Sequence, residues 1–293
     1  MKNKKILAII FAVVAAILYS INVPLSKLLL NKIEPTFLAS LLYLGAGIGV
    51  GIVSLFKKKK YSVDEKINKK DMPYVTGMVV LDILAPIFLM IGLKNSLSSN
   101  ASLLNNFEIV CTSIIAMIIF KEVISKKMWL AISLITISSF ILSIDLSENF
   151  SFSWGSLFIL AATLCWGFEN NCTRNLADKN TYVIVIIKGI FSGLGSLIVS
   201  LILRENLLSG IYILYALLLG FVAYGLSIFF YIKAQGVIGA AKTSAYYSLA
   251  PFIGTFLSFI ILGEDLKYTY FIGLIIMIIG TIVVVYDTLE KGD

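Results

Sequence analysis

An all-α membrane protein of about ten transmembrane helices, built as two inverted five-helix repeats, is the fold class this sequence predicts. Three observations predict it. Of 293 residues, 59% are hydrophobic and 14% charged, with a mean hydropathy of +0.95. The apolar residues come in long uninterrupted runs, and many of the lysines cluster between those runs. An average soluble domain carries about 25% charged and 45–50% apolar residues, and 24 basic plus 17 acidic side chains could barely coat a chain of this length in water. A soluble enzyme is excluded. Nucleic-acid binding is excluded as the meaning of the +7 charge, because lysines placed between apolar runs set membrane topology.

A spanning helix needs about 20 mostly apolar residues. The first run, 6–30, follows Lys2, Lys4 and Lys5, but it is too long for a signal peptide and lacks an obvious cleavage site. Runs 37–56, 74–93, 101–120 and 128–144 follow, and then 153–173, 182–203, 211–232, 243–262 and 270–286. With the N-terminus in the cytoplasm, the inner connections hold Lys57, Lys58, Lys59, Lys60, Lys66, Lys69, Lys70, Lys121, Lys126, Lys127, Arg174 and Lys179. The outer ones hold only Lys27, Lys32, Lys94, Arg204 and Lys267. This asymmetry places both termini on the cytoplasmic side of a cell membrane. Lysine outnumbers arginine 22 to 2, which hints at an AT-rich, bacterial genome.

Several chemistries drop out. Histidine is absent, which removes the commonest general base and metal ligand. Cys111, Cys165 and Cys172 lie in apolar stretches without ligand spacing and read as buried small hydrophobes. A glycine-rich phosphate loop is missing, so pumping driven by ATP is not expected. The expectation is a chain without enzymatic activity, metal or cofactor. Its partners are a small-molecule substrate, the lipid bilayer and, for coupling, protons or a counter-substrate. Nucleic acid is not among them, and monomer and homodimer stay open.

The chain also repeats itself. A segment beginning Asn100-Ala-Ser-Leu-Leu and ending Ile-Ile-Phe-Lys-Glu122 has a partner that begins Lys242-Thr-Ser-Ala-Tyr and ends Ile-Ile-Leu-Gly-Glu264. Likewise Tyr19-Ser20-Ile-Asn22 with Ser26-Lys27 corresponds to Trp166-Gly167-Phe-Glu169 with Thr173-Arg174. Run one matches run six, and run four matches run nine. The expected division is therefore 1–146 and 147–293. An odd number of spans per copy inserts the second upside down, and secondary transporters use such repeats to place a substrate site between halves near the midplane.

These residues resemble the EamA-type branch of the drug/metabolite transporter superfamily. The marks are Phe120-Lys121-Glu122 and Leu262-Gly263-Glu264 after the fourth span of each half, Ala245-Tyr-Tyr-Ser-Leu-Ala-Pro251, and a last span with Gly273 and Gly280. The resemblance implies export of small metabolites, often amino acids, or of toxic compounds. One departure is that Ala250-Pro251 faces Glu108-Ile109 at the matching place, where many members carry proline in both halves. A channel, or a receptor that transports nothing, could use the same scaffold.

An ionisable side chain at membrane depth is expensive and is a functional candidate by default. Asp82, Glu108, Glu169 and Lys188 qualify. Glu108 shares a helical face with Ser102, Asn105 and Thr112, and Asn106 sits beside that stripe. Glu169 and Lys188 fall at similar depth and could pair, though Lys188 could instead reach Glu108. Asn170, Asn171 and Thr173 add amides and a hydroxyl near Glu169, and Asn22 gives a polar break in the first run. Asp82 lies near Pro86, which would loosen its helix. Tyr246, Tyr247, Ser248 and Thr255 put polar groups on run nine. Trp166 reads more readily as packing than as a substrate platform.

Overall fold

The computed structural model describes residues 2–56, 66–96, 98–143, 154–265 and 268–290. Lys57 to Lys60, Lys267 and the boundary between 146 and 147 lie outside the described residues. Among the described residues the chain is all-helical, and helix occupies each apolar run. The first run forms α1 (Lys2–Ser20) and α2 (Asn22–Leu29), followed by α3 (Pro35–Leu55) and α4 (Met72–Lys94). The fourth run forms α5 (Ser98–Leu104) and α6 (Phe107–Ile118), and the fifth α7 (Lys126–Ser143). After α8 (Trp154–Asn175) come α9 (Thr181–Ile187) and α10 (Gly193–Ile202), joined by a π-helical turn at Lys188–Ser192. A second π-helical turn, Gly220–Leu226, joins α11 (Tyr212–Leu219) to α12 (Ser227–Ile238). The chain continues through α13 (Ala240–Tyr247), α14 (Ala250–Leu262) and α15 (Tyr268–Glu290).

Seven of these stretches among the described residues are long and apolar enough to cross a membrane. The protein is a multi-pass membrane protein. The sequence predicted about ten spans, and the stretches not counted among the seven each have a reason. A turn at Asn105–Asn106 leaves α6 with only 12 residues. The end of α8 carries Glu169, Asn170, Asn171 and Arg174, which lower its hydropathy. The described part of α7 stops at Ser143, because 144–153 lie outside the described residues. Turns also divide α1 from α2 at Ile21 and α13 from α14 at Ser248–Leu249, where continuous helices were expected in runs one and nine, yet both stretches stay long and apolar enough to cross. Pro86, expected to loosen its helix, leaves α4 continuous.

Helix α4 packs on α8, α1 on α12, α7 on α15, and α3 crosses both π-helical turns. Glycine sets that last approach: a Cβ on Gly47 of α3 would stand 2.7 Å from the Ile190 amide nitrogen. Small residues let helix backbones meet in lipid, where apolar burial drives little association. The outer face of α15 presents Phe271, Ile275, Ile278 and Ile282 to the surroundings, as a lipid-facing helix should.

Three connections end in a carboxylate that reaches the start of another helix. Lys121 (φ 57°), Gly263 (φ 68°) and Arg204 (φ 54°) adopt the left-handed conformation that stops a helix, and each precedes a glutamate. Glu122 accepts from the Ala240 N–H at 3.3 Å, opening α13. Glu264 accepts from the Ser98 N–H at 3.0 Å, opening α5. Glu205 accepts from Thr36 and Phe37 at 3.2 and 2.8 Å, opening α3. Free N–H groups and the helix dipole both favour an anion there.

Candidate functional site

Where α4, α8, α12 and the two π-helical turns converge on α1, α3, α6 and α13, polar side chains line a cavity of about 40 Å³. Lys188, the first residue of its π-helical turn, is buried and stands 2.7 Å from Glu169 Oε1 and 3.2 Å from Asp82 Oδ2. Glycine at 189 lets this turn press against Gly47, which carries Lys188 up to Asp82. Tyr43 of α3 donates to Asp82 Oδ1 at 2.7 Å, and Thr173 donates to Glu169 Oε1 one helical turn away. A buried ammonium between two carboxylates is stable only because each partner is also hydrogen-bonded.

Glu108 begins α6 just past the Asn105–Asn106 turn. Its Oε1 accepts from Asn170 Nδ2 at 2.7 Å, and the same amide reaches Thr112 at 3.2 Å. Gln235 in turn donates to the Asn170 carbonyl at 3.1 Å. Glu108, Tyr19 and Tyr247 line both this cavity and a smaller adjoining one of about 10 Å³, which Asn105, Asn106 and Ser248 also line. An aromatic cluster lines the larger cavity, and its Tyr19 and Tyr247 also line the smaller. Tyr19 lies 6.4 Å from Trp166, 5.6 Å from Tyr224 and 5.3 Å from Tyr247 between ring centroids. Tyr43 meets Tyr224 at 5.1 Å, and Tyr231 meets Tyr247 at 4.9 Å.

The residues singled out from the sequence thus fall into three groups. Asp82, Glu108, Glu169, Asn170, Lys188 and Tyr247 surround the larger cavity, and Asn105, Asn106 and Ser248 the smaller. Asn171 does not reach either: it donates to the carbonyls of Thr112 and Gly167 and fastens α8 to α6. Tyr246 likewise turns away and donates to Thr288. Lys188 pairs with Glu169 and Asp82, while Glu108 meets Asn170 instead. Trp166, read as packing, borders the larger cavity.

Tyr19, Tyr43, Tyr224 and Tyr231 were not among the expected site residues, yet all line the larger cavity. Tyr19 had a signal, since it is the repeat partner of Trp166. Asn22, the partner of Glu169, also keeps a matching role: its amide donates to Tyr224 at 3.2 Å. The three cysteines are free thiols. Among the described residues no group of three His, Cys, Asp or Glu side chains is arranged to hold a metal ion.

Comparisons with known proteins agree with this architecture. The sequence profile of the EamA-like transporter family matches residues 6–144 and again 153–286. An "Uncharacterized transporter" of Methanothermobacter thermautotrophicus is 25% identical over 295 aligned positions, covering 94% of this chain and 85% of its own. The "Uncharacterized transporter YyaM" of Bacillus subtilis is 30% identical over 201 positions, 66% of each chain. A crystal structure of a protein 15% identical superposes with a TM-score of 0.79 over 98% of both chains, a likeness of fold.

Proposed function

The chain belongs to the EamA-like transporter family, and from that premise we propose that it is a secondary active transporter working by alternating access. It exports small metabolites such as amino acids, or toxic organic compounds, across the cell membrane, with both termini in the cytoplasm. The carrying observation is the cavity itself: charged groups from both halves surround a space of about 40 Å³. A water needs about 10–15 Å³, so this space admits a few waters and no metabolite until elements move. Glu108 sits at its edge on a helix that begins at a turn, as substrate-binding segments of such transporters do.

Two further observations support ten spans in two inverted halves, divided near 146 and 147. Among the described residues, the polar contacts between connections named here join pairs that a strict alternation puts on the same face. On the inner face these are Glu122 with Ala240, Lys242 with Asp287 and Lys179 with Asp71. On the outer face they are Glu264 with Ser98, Glu205 with Phe37 and Lys94 with Glu34. On that alternation the repeat-related Glu122 and Glu264 fall on opposite faces, as inversion requires. Packing is reciprocal as well, α4 on α8 answering α12 on α1.

In this mechanism Glu108 takes a proton and the substrate's positive group in turn. The test is flux into proteoliposomes. Wild type should show saturable, pH-dependent transport, and Glu108→Gln, which holds the neutral form, should lose the pH dependence while remaining folded and monodisperse. Single-channel currents would favour a pore, and saturable binding without flux would favour a receptor. Wild-type rates and pH dependence in Glu108→Gln would return this residue to a structural role.

A further inference from the structure

The larger cavity is bordered by three carboxyl groups, Asp82, Glu108 and Glu169, and by a single amine, Lys188. Lys188 already stands against two of the three. A substrate carboxylate seeking that ammonium would have to enter between Asp82 and Glu169, and like charges meeting there repel. The remaining acid, Glu108, forms no ion pair among the described residues and is hydrogen-bonded by a neutral amide.

A second observation lies next to it. Asn105 is buried, its amide nitrogen reaches Tyr19 at 3.5 Å, and its Oδ1 accepts no hydrogen bond among the described residues. Asn105 lines the same small pocket as Glu108, Tyr19 and Tyr247. A buried acceptor without a donor is costly, and a ligand that brings an N–H removes the cost. The nearby tyrosine rings offer negative faces to a cation and apolar area to its body.

We propose that the transported compound is a protonated primary amine lacking a carboxylate, its ammonium held by Glu108 and Asn105 Oδ1 and its apolar body seated among Tyr19, Tyr231 and Tyr247. Three N–H donors suit this arrangement: one for the carboxylate, one for the orphaned amide oxygen and one left for a hydroxyl or water. A quaternary ammonium satisfies the rings but not Asn105. An amino acid brings a carboxylate that the Asp82–Lys188–Glu169 cluster repels. The proposal narrows the transporter reading to one substrate class and rests on that reading only for passage across the membrane.

The test uses four compounds on one skeleton: phenethylamine, its N,N,N-trimethyl derivative, phenylalanine and 3-phenylpropionate. Binding to the purified full-length protein in detergent is measured by calorimetry at pH 7, and phenethylamine uptake is measured in proteoliposomes. Phenethylamine should bind about tenfold or more tightly than each of the other three, and Glu108→Gln should remove that preference. The wild-type series decides alone if the variant fails to fold. Equal or tighter binding of phenylalanine, phenylpropionate or the trimethyl derivative overturns the proposal, and so does binding by none of the four. The predicted order of binding without saturable uptake keeps the amine site and contradicts transport. Saturable uptake of another compound without amine preference does the reverse.

Discussion

Lys188 between Asp82 and Glu169 makes the site sensitive to the order in which charges are removed. Taking away the ammonium alone leaves two carboxylates buried near each other, and breaking a buried pair in this way costs about 3–5 kcal/mol. Lys188→Met should therefore lower the thermal midpoint in detergent sharply, and adding Asp82→Asn and Glu169→Gln should recover much of the loss. A triple variant no more stable than Lys188→Met would mean the three groups are not coupled. Reversing Lys188 and Glu169 together, the natural exchange for a simple pair, would set a new carboxylate against Asp82 and should recover little. The pairing of Glu169 with Lys188 was legible only as one of two options, because adjacent runs place them at one depth while Glu108 stood as the other partner. The third member was not, because the rotation of α4 about its axis leaves no mark in an almost uniformly apolar run. The tyrosines were missed for a related reason. A chain with 14 of them offers no way to tell a cavity wall from packing, except where a repeat partner such as Trp166 marks the position.

At the scale of elements, the short Lys-Glu and Gly-Glu motifs turn out to be helix stops followed by caps for a helix of the opposite half. The sequence showed them as repeat marks, but a capping contact across 118 or 166 residues is invisible without the fold. Removing such a cap costs about 1 kcal/mol, so Glu264→Ala should destabilise modestly and loosen the start of α5. Glu122 carries a further signature. Burial holds its carboxyl above the ordinary carboxylate range, while the Ala240 N–H and Arg174 draw it back only in part. A raised carboxyl pKa means the folded chain binds the proton more tightly than the unfolded one, so ionised Glu122 costs stability as pH rises. The melting temperature of Glu122→Gln minus that of wild type should grow as pH rises from 4.5, then level off above the shifted value. A difference that stays flat, or shrinks, contradicts the burial of this carboxyl. The π-helical turns were also illegible. Lys188 and Tyr224 sit on them, and nothing in the local residue pattern separates these turns of five and seven residues from ordinary helix.

Over the whole molecule, the class of fold was readable from composition and run length, because lipid imposes a pattern that soluble cores do not. Orientation rests on the lysines and has its own check. A cysteine introduced near Asn206 or in the connection holding Glu148 should react with an impermeant reagent from outside, and one near Lys59 or Lys179 should not. Glu148 and Lys59 lie outside the described residues, so Asn206 and Lys179 anchor that experiment in known connections. The opposite pattern would invert the protein and exchange the faces assigned to Glu122 and Glu264. Alternating access requires that a single cavity open to each face in turn. Ile228 lines that cavity, and Ile228→Cys, in a chain whose native cysteines are replaced, reports access to it in sealed vesicles of both orientations. Alternating access predicts labelling from either face, quickened from the cytoplasmic face by Glu122→Ala and from the outer face by Glu264→Ala. Labelling from one face alone, unchanged by either substitution, would contradict it.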